Sequence, residues 1–218
     1  MFDLIIKNGL VYDGKGSEPY HADLGISNEK IVEIGNIEGE GKKIIDAKGK
    51  IVTPGFVDIH THYDGQVTWD PYLRPSTYHG VTTVVMGNCG VGFSPCKPNQ
   101  RDWLIGLMEG VEDIPGTALH EGIDWEWESF PEYLDALEKK PLAIDVGTQI
   151  PHGAVRAYVM GERGINHEEA SSEEIEEMKQ IVQEAVKAGA YGFSTSRTEK
   201  HNDVCLLYTS DAADDVRC

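Results

Sequence analysis

Length, composition and charge already restrict the partners of this chain. It has 218 residues with 37 acidic and 19 basic side chains, so its formal net charge is −18. That acidity argues against nucleic acid or an anionic membrane as a partner. No apolar run is long enough to span a bilayer, and the first residues lack the features of a secretory signal. The few cysteines do not make a disulfide framework, so we expect a soluble protein of the reducing cytoplasm.

Residues 1–54 are predicted to form short strands separated by turns. Asn8-Gly9 is a typical hairpin signal between two apolar runs, and residues 28–30 separate two further runs. This pattern favours a small β-sandwich segment. The segment is too short to bury a comfortable core alone, so we expect a partner segment to complete it.

From residue 55 to residue 204, predicted strands alternate with predicted helices. The strands are predicted at 56–61, 82–86, 143–150 and 190–194, and the helices at 99–108, 131–140 and 171–188. The last helix is the clearest, because Ser171 and Glu174 form a capping-box signature and Gly189 follows as a stop. Strands that alternate with helices favour a parallel α/β architecture.

Two histidines lie at the C-terminal end of the first of these strands. His60 and His62 are one residue apart, and side chains at i and i+2 of a strand point to the same side. The C-terminal end of a buried parallel strand is also where barrel enzymes place their chemistry. The pair is therefore a candidate for two ligands of one metal ion. Taken alone, the two histidines are equally well interpreted as part of a polar loop.

Cys89 follows the second predicted strand at the matching height. The ends of adjacent parallel strands are neighbours in space, so its thiolate can share a metal with the histidines. Imidazole and thiolate together favour zinc over magnesium or calcium. A free cysteine by itself is commonly a small buried apolar residue, but the neighbouring histidines favour the ligand interpretation. Cys96, in contrast, is interpreted as a loop residue.

The last segment, residues 205–218, is expected to be non-native. Residues 205–215 resemble the in-frame translation of a transposase-type sequencing adapter. Such a segment has to be set aside before the fold is considered. The predicted organisation is therefore 1–54, 55–204 and 205–218, with the protein's own sequence represented to about residue 204.

The motifs around the candidate metal residues resemble a known family. Residues 54–62 (PGFVDIHTH) and 85–90 (VMGNCG) are similar to the amidohydrolase superfamily, in its N-acyl-D-amino-acid deacylase branch. Segments at 109–116, 125–133, 151–156 and 192–198 are similar to one subgroup of that branch. The resemblance extends over about residues 3–203.

The resemblance implies a fold, a metal site and an activity. The implied α/β fold is the N-terminal part of a metal-dependent (β/α) TIM barrel, preceded by a β-sandwich that both chain ends build. The family's His-x-His falls on His60 and His62, and its metal-binding cysteine on Cys89. Two further histidines and a catalytic aspartate are expected beyond the end of this chain. The implied activity is zinc-dependent hydrolysis of a linear amide, with N-acyl-D-amino acids as the small-molecule substrates.

Three residues are candidate substrate contacts, and one more has a supporting role. His152 ends the third predicted strand, and Arg156 and Arg197 could pair bidentately with a substrate carboxylate. For each arginine an ordinary structural ion pair is an equal interpretation. Asp58 is expected to orient a ligand or to pack in the barrel interior.

Other functions remain open from the sequence. Within the superfamily, the alternative is a cyclic-amide hydrolase of the dihydropyrimidinase or hydantoinase type, or a deaminase. Outside catalysis, the alternative is an inactive metal-binding fragment.

Overall fold

The computed structural model describes residues 1–112 and 114–196. These residues divide into two compact units, one from Met1 to Gly55 and one that begins at Phe56. The candidate substrate residue Arg197 and the adapter-like segment 205–218 lie outside the described residues. Within the described part of the chain, no helix is both long enough and apolar enough to cross a membrane.

The first unit is a five-stranded sheet. Its strands are β1 (Phe2–Val11), β2 (Tyr20–Ser27), β3 (Lys30–Gly35), β4 (Gly41–Asp46) and β5 (Ile51–Val52). The strand order is β3-β2-β1-β4, and β5 also pairs with β1. Strands β1, β2 and β3 are antiparallel neighbours, whereas β4 and β5 run parallel to β1. The second layer of a sandwich stays a prediction.

The hairpin that we predicted at Asn8-Gly9 is wrong. Strand β1 runs through both residues, and its pairing with β2 shifts between Ile6 and Gly9. Asn8 has a φ of 61°, a conformation that asparagine tolerates better than most residues. The chain uses that tolerance for a β-bulge instead of a turn. The turn predicted at 28–30 does join β2 to β3, with Asn28 and Glu29 at positive φ.

The second unit contains parallel strands and their crossover helices. Its strands are β6 (Phe56–Asp58), β7 (Val81–Met86), β8 (Asp145–Thr148), β9 (Ile150–Pro151) and β10 (Phe193–Ser194). Its helices are α1 (Arg101–Glu112), α2 (Gly116–Gly122), α3 (Phe130–Glu138), α4 (His152–Met160), α5 (Glu162–Ile165) and α6 (Ser172–Ala188). Strands β6, β7 and β8 pair in chain order, and β9 pairs with β10, all of them in parallel. Parallel neighbours require crossovers, and the helices lie in these connections.

The capping signals define the helix starts well. Ser171 accepts a hydrogen bond from the Glu174 amide, and the Glu174 side chain reaches back to the Ser171 amide, so α6 begins at Ser172 as the pattern indicates. Ser129 and Glu132 make the same capping box at the start of α3. The strand predicted at 82–86 is confirmed as β7, which begins one residue earlier. The strands predicted at 56–61 and 190–194 are shorter than predicted, and the one predicted at 143–150 is divided between β8 and β9.

Candidate metal centre

His60 and His62 lie just beyond the C-terminal end of β6. Between them, Thr61 fixes the segment to β7, because its amide and its hydroxyl both donate to the Val85 carbonyl, at 2.9 and 2.8 Å. The His60 amide donates to Asp58 Oδ1 at 3.2 Å. The two imidazole centroids are 5.6 Å apart, with their planes at 70°. The strand therefore ends earlier than predicted, but the two rings still lie side by side.

Cys89 approaches the histidines from the loop that follows β7. Its Sγ lies 3.1 Å from His60 Nε2. Cys89 has a φ of 56° and a ψ of 14°, the left-handed region that residues with a Cβ rarely adopt. We call residues 87–90 the Cys89 loop. The loop needs glycine at its start, because Gly87 has a φ of 73° and a Cβ there would lie 2.1 Å from the Gln149 carbonyl oxygen.

The ligand atoms of these three residues form one cluster. One imidazole nitrogen each from His60 and His62, and the Cys89 sulfur, all lie within 4.8 Å of one another. Two ligand atoms on one tetrahedral zinc are about 3.5 Å apart, as the usual Zn–S and Zn–N bond lengths dictate. The cluster therefore has the right size for one ion. Its two nitrogens and one sulfur suit zinc better than a hard cation.

The surroundings of His62 favour its neutral form, which suits a ligand role. Burial lowers its pKa from the usual value, and the neighbouring His60 lowers it further. At neutral pH the imidazole is thus neutral, the form that binds a metal. Its Nδ1 is buried and has no hydrogen-bond partner among the described residues. An unpartnered buried nitrogen is costly without a ligand, so this observation fits a bound cation.

Hydrogen bonds to three other parts of the chain fix the Cys89 loop. The side-chain Nδ2 of Asn88 donates to the carbonyls of Thr61 and Val85, at 3.0 and 2.9 Å, and its Oδ1 accepts from Gln149 Nε2 at 2.8 Å. Ser194 of β10 donates to the Gly87 carbonyl and accepts from the Gly90 amide. Sequence reasoning gave neither Asn88 nor Ser194 a role. Asn88 lies beside a candidate ligand, whereas nothing in the local sequence links Ser194 to a loop more than 100 residues earlier.

Asp64 is a third residue that sequence reasoning missed. Its carboxyl group is fully buried, and burial raises its pKa to about 7 despite hydrogen bonds from its own amide and that of Gly87. Its Oδ2 has no hydrogen-bond partner among the described residues. The only available signal was its position two residues after His62.

The two candidate substrate residues that the structure describes, His152 and Arg156, lie on α4. His152 begins α4 and is buried, with Nδ1 3.1 Å from Thr195 Oγ1 and its ring 5.8 Å from that of Phe193. Arg156 is buried too, and its guanidinium donates to the backbone carbonyls of Gly164 and Glu168. Neither residue belongs to the cluster of ligand atoms. Their contact with a substrate stays a prediction.

Cys96 differs sharply from Cys89. It is completely buried, and burial raises the pKa of its thiol to about 12. It therefore remains protonated at neutral pH and is a poor metal ligand. Among the described residues, the cluster that could hold a metal ion contains Cys89 and not Cys96.

Comparisons with known proteins agree with this geometry. A sequence model described as "Amidohydrolase family" matches residues 43–216. The chain is 34% identical over 195 residues to D-aminoacylase of Alcaligenes xylosoxydans xylosoxydans, which covers 89% of this chain and 37% of that protein. It thus spans well under half the length of this relative.

Solved structures give the same result. An N-acyl-D-glutamate deacylase from Bordetella bronchiseptica, complexed with zinc and a phosphonate inhibitor, has a TM-score of 0.75 and 33% identity, covering 89% of this chain and 38% of that one. A D-aminoacylase structure described by its binuclear metal centre has the same TM-score, identity and coverage. These similarities confirm the predicted α/β fold class.

Proposed function

Because the chain belongs to the amidohydrolase family, we propose that the protein carrying it hydrolyses the linear amide bond of N-acyl amino acids. This is a reaction at a carbon–nitrogen bond other than a peptide bond. The single observation that carries the proposal is the cluster of two imidazole nitrogens and one sulfur within 4.8 Å. That donor set is better explained by a hydrolytic metal ion than by a purely structural contact between the three side chains.

Zinc is the proposed metal, held by His60, His62 and Cys89. A zinc ion bound there supplies a nucleophile from water at neutral pH and polarises the scissile carbonyl. The zinc complex of the Bordetella relative supports this choice of metal. The unpartnered Nδ1 of His62 and the mixed nitrogen and sulfur donors support it within this chain.

The surrounding residues of this chain hold the ligands in place. Thr61 keeps the two histidines against β7, and Asp58 accepts the His60 amide. Asn88 ties the carbonyl between the histidines to the loop that presents the cysteine. Residues that orient metal ligands in this way commonly influence metal affinity.

The substrate class is proposed from the relatives. They are named D-aminoacylase and N-acyl-D-glutamate deacylase, so we propose an N-acyl-D-amino acid as the substrate. His152 is proposed to line its pocket, and Arg156 and Arg197 to bind its carboxylate. For Arg156 that role has a cost, because the guanidinium has to exchange its bonds to the Gly164 and Glu168 carbonyls for a carboxylate.

The substrate test compares linear and cyclic amides. The purified, zinc-loaded protein that carries this chain is offered N-acetyl-D-amino acids with apolar and acidic side chains, their L forms, hydantoin, dihydrouracil and adenine. Release of acetate from the D forms is expected. Ring opening or ammonia release without any deacylation would support the cyclic-amide hydrolase or the deaminase instead. Zinc binding with no turnover on the whole panel would support a non-catalytic metal protein.

The metal test uses the two described cysteines as a matched pair. Cys89→Ala removes the thiolate and is expected to weaken zinc binding at least about 10-fold, because it removes one of three ligands. Cys96→Ala deletes a buried thiol outside the cluster and is expected to keep the zinc. Zinc is counted by mass spectrometry after dialysis against a competing chelator. Equal zinc in both variants would contradict the ligand assignment.

A further inference from the structure

We propose that Ser194 is a positioning residue for the metal centre, because its hydroxyl fixes the Cys89 loop in the conformation that directs the sulfur towards His60. This inference rests on the proposed metal site and adds to it a residue that touches neither metal nor substrate. The observations that carry it are two hydrogen bonds, one strained backbone and one long separation in sequence.

The Ser194 hydroxyl bonds to the loop on both sides of the cysteine. It donates to the Gly87 carbonyl, and it accepts from the Gly90 amide at 3.0 Å. One hydroxyl therefore satisfies both ends of a four-residue loop. Ser194 is itself buried, with 7% of its surface exposed, so water does not readily replace either bond.

The loop requires such a restraint because Cys89 is in an unfavourable conformation. A left-handed backbone is unfavourable for any residue with a Cβ, and Cys89 has a φ of 56°. Without a restraint, the loop relaxes towards backbone conformations that point the thiol elsewhere. Strain of this kind persists only where the surrounding structure over-determines it.

Ser194 supplies this restraint from a distant strand. It lies in β10, which pairs with β9 and not with β7, the strand that precedes the loop. Asn88 already anchors the loop to the Thr61 and Val85 carbonyls. These two anchors precede the loop in the sequence, whereas Ser194 follows it, so the sulfur is fixed only when β10 is in place.

The test uses cobalt(II) as the probe, because a thiolate bound to cobalt gives a near-ultraviolet charge-transfer band. In the wild type, we expect the band to have the intensity of one thiolate ligand for each tightly bound cobalt ion. Ser194→Ala should raise the cobalt dissociation constant about 10-fold, at the low end of the usual effect of such supporting residues. It should also weaken the band per bound cobalt, which a general loss of stability does not do.

Three further variants make the result specific. Ser194→Thr keeps a hydroxyl and should retain the band. Ser194→Val introduces a side chain with the shape of threonine but without the hydroxyl, and should lose the band. This pair repeats the test if the alanine variant does not fold. Ser94→Ala deletes another buried serine hydroxyl, one that donates to the Ser129 carbonyl at 3.3 Å, and should behave as wild type.

Alkylation of the metal-free protein gives an independent measurement. Released from its loop conformation, Cys89 should react with iodoacetamide at a different rate in Ser194→Ala but at the wild-type rate in Ser94→Ala. Wild-type affinity, band and alkylation rate in Ser194→Ala would overturn the inference while leaving the metal site intact. A wild type without any thiolate band would overturn the proposed metal site and this inference together.

Discussion

The buried carboxyl of Asp64 should make the stability of the protein fall between pH 4 and pH 8. Burial raises its pKa from 3.8 to about 7. Below the pKa of the unfolded state, Asp64 is protonated in both states, so its titration does not change the free energy of unfolding. Between the two values the folded state keeps a proton that the unfolded state releases, so the free energy of unfolding decreases as the pH rises.

Asp64→Asn removes this dependence, because the amide has nearly the same shape and does not ionise. With folded and unfolded pKa values of about 7 and 3.8, the variant should gain about 1.5 kcal/mol over wild type at pH 5 and about 4 kcal/mol at pH 8. Any fixed cost of the amide is the same at both pH values. The readout is therefore the change of about 2.5 kcal/mol between them.

The assay is urea unfolding of chelator-treated protein at closely spaced pH values. Asp70→Asn is the matched control, because Asp70 is buried too but has the opposite shift. Although burial raises the pKa of Asp70, hydrogen bonds from Arg74, Tyr72 and Gln66 lower it overall. Its loss should therefore destabilise the protein at neutral pH, and the difference should disappear on acidification. If Asp64→Asn stays parallel to wild type from pH 5 to pH 8, the reasoning about its burial is refuted.

Two further substitutions test the loop and the helix capping. Gly87→Ala should cost about 1–2 kcal/mol for its left-handed backbone alone, and more for a Cβ that would lie 2.1 Å from the Gln149 carbonyl oxygen; urea unfolding and the cobalt band should both report the damage, and a variant with normal stability would contradict the close approach. Ser171→Ala should cost about 1 kcal/mol by removing the capping box of α6 without changing the cobalt band; an unaltered unfolding midpoint would contradict it.

The sequence predicted best those features whose signals are local. The His-x-His spacing predicted that His60 and His62 lie side by side, and they do although β6 ends at Asp58, because Thr61 between them stays bonded to the Val85 carbonyl of β7. Capping boxes depend on residues three apart, and the two helices that have one, predicted to begin at residues 131 and 171, begin at Phe130 and Ser172. The position of Cys89 followed from chain-order pairing of parallel strands.

The features that were missed depend on contacts distant in sequence or on ambiguous local signals. Asn8-Gly9 suits a hairpin or a bulge equally well, and only the pairing of β1 with three other strands decides between them. The burial of Asp64 depends on elements that pack around it from elsewhere in the unit. Ser194 reaches the Cys89 loop across more than 100 residues, and no periodicity or spacing rule encodes that contact.

The same long-range contacts explain how a strained loop can hold the proposed metal ligand Cys89. The Cys89 loop is tied to the segment between the histidines through Asn88, to Gln149 beyond β8, and to Ser194 in β10. Each bond comes from near a different strand end, so the correct sulfur position requires these strands to be in register at once. The strained backbone of Cys89 is thus stabilised by contacts with the rest of the fold and not by the loop itself. If the proposed site binds a metal, we expect its affinity to be coupled to the folding of this unit, because a partly formed sheet does not keep the Cys89 thiol beside His60.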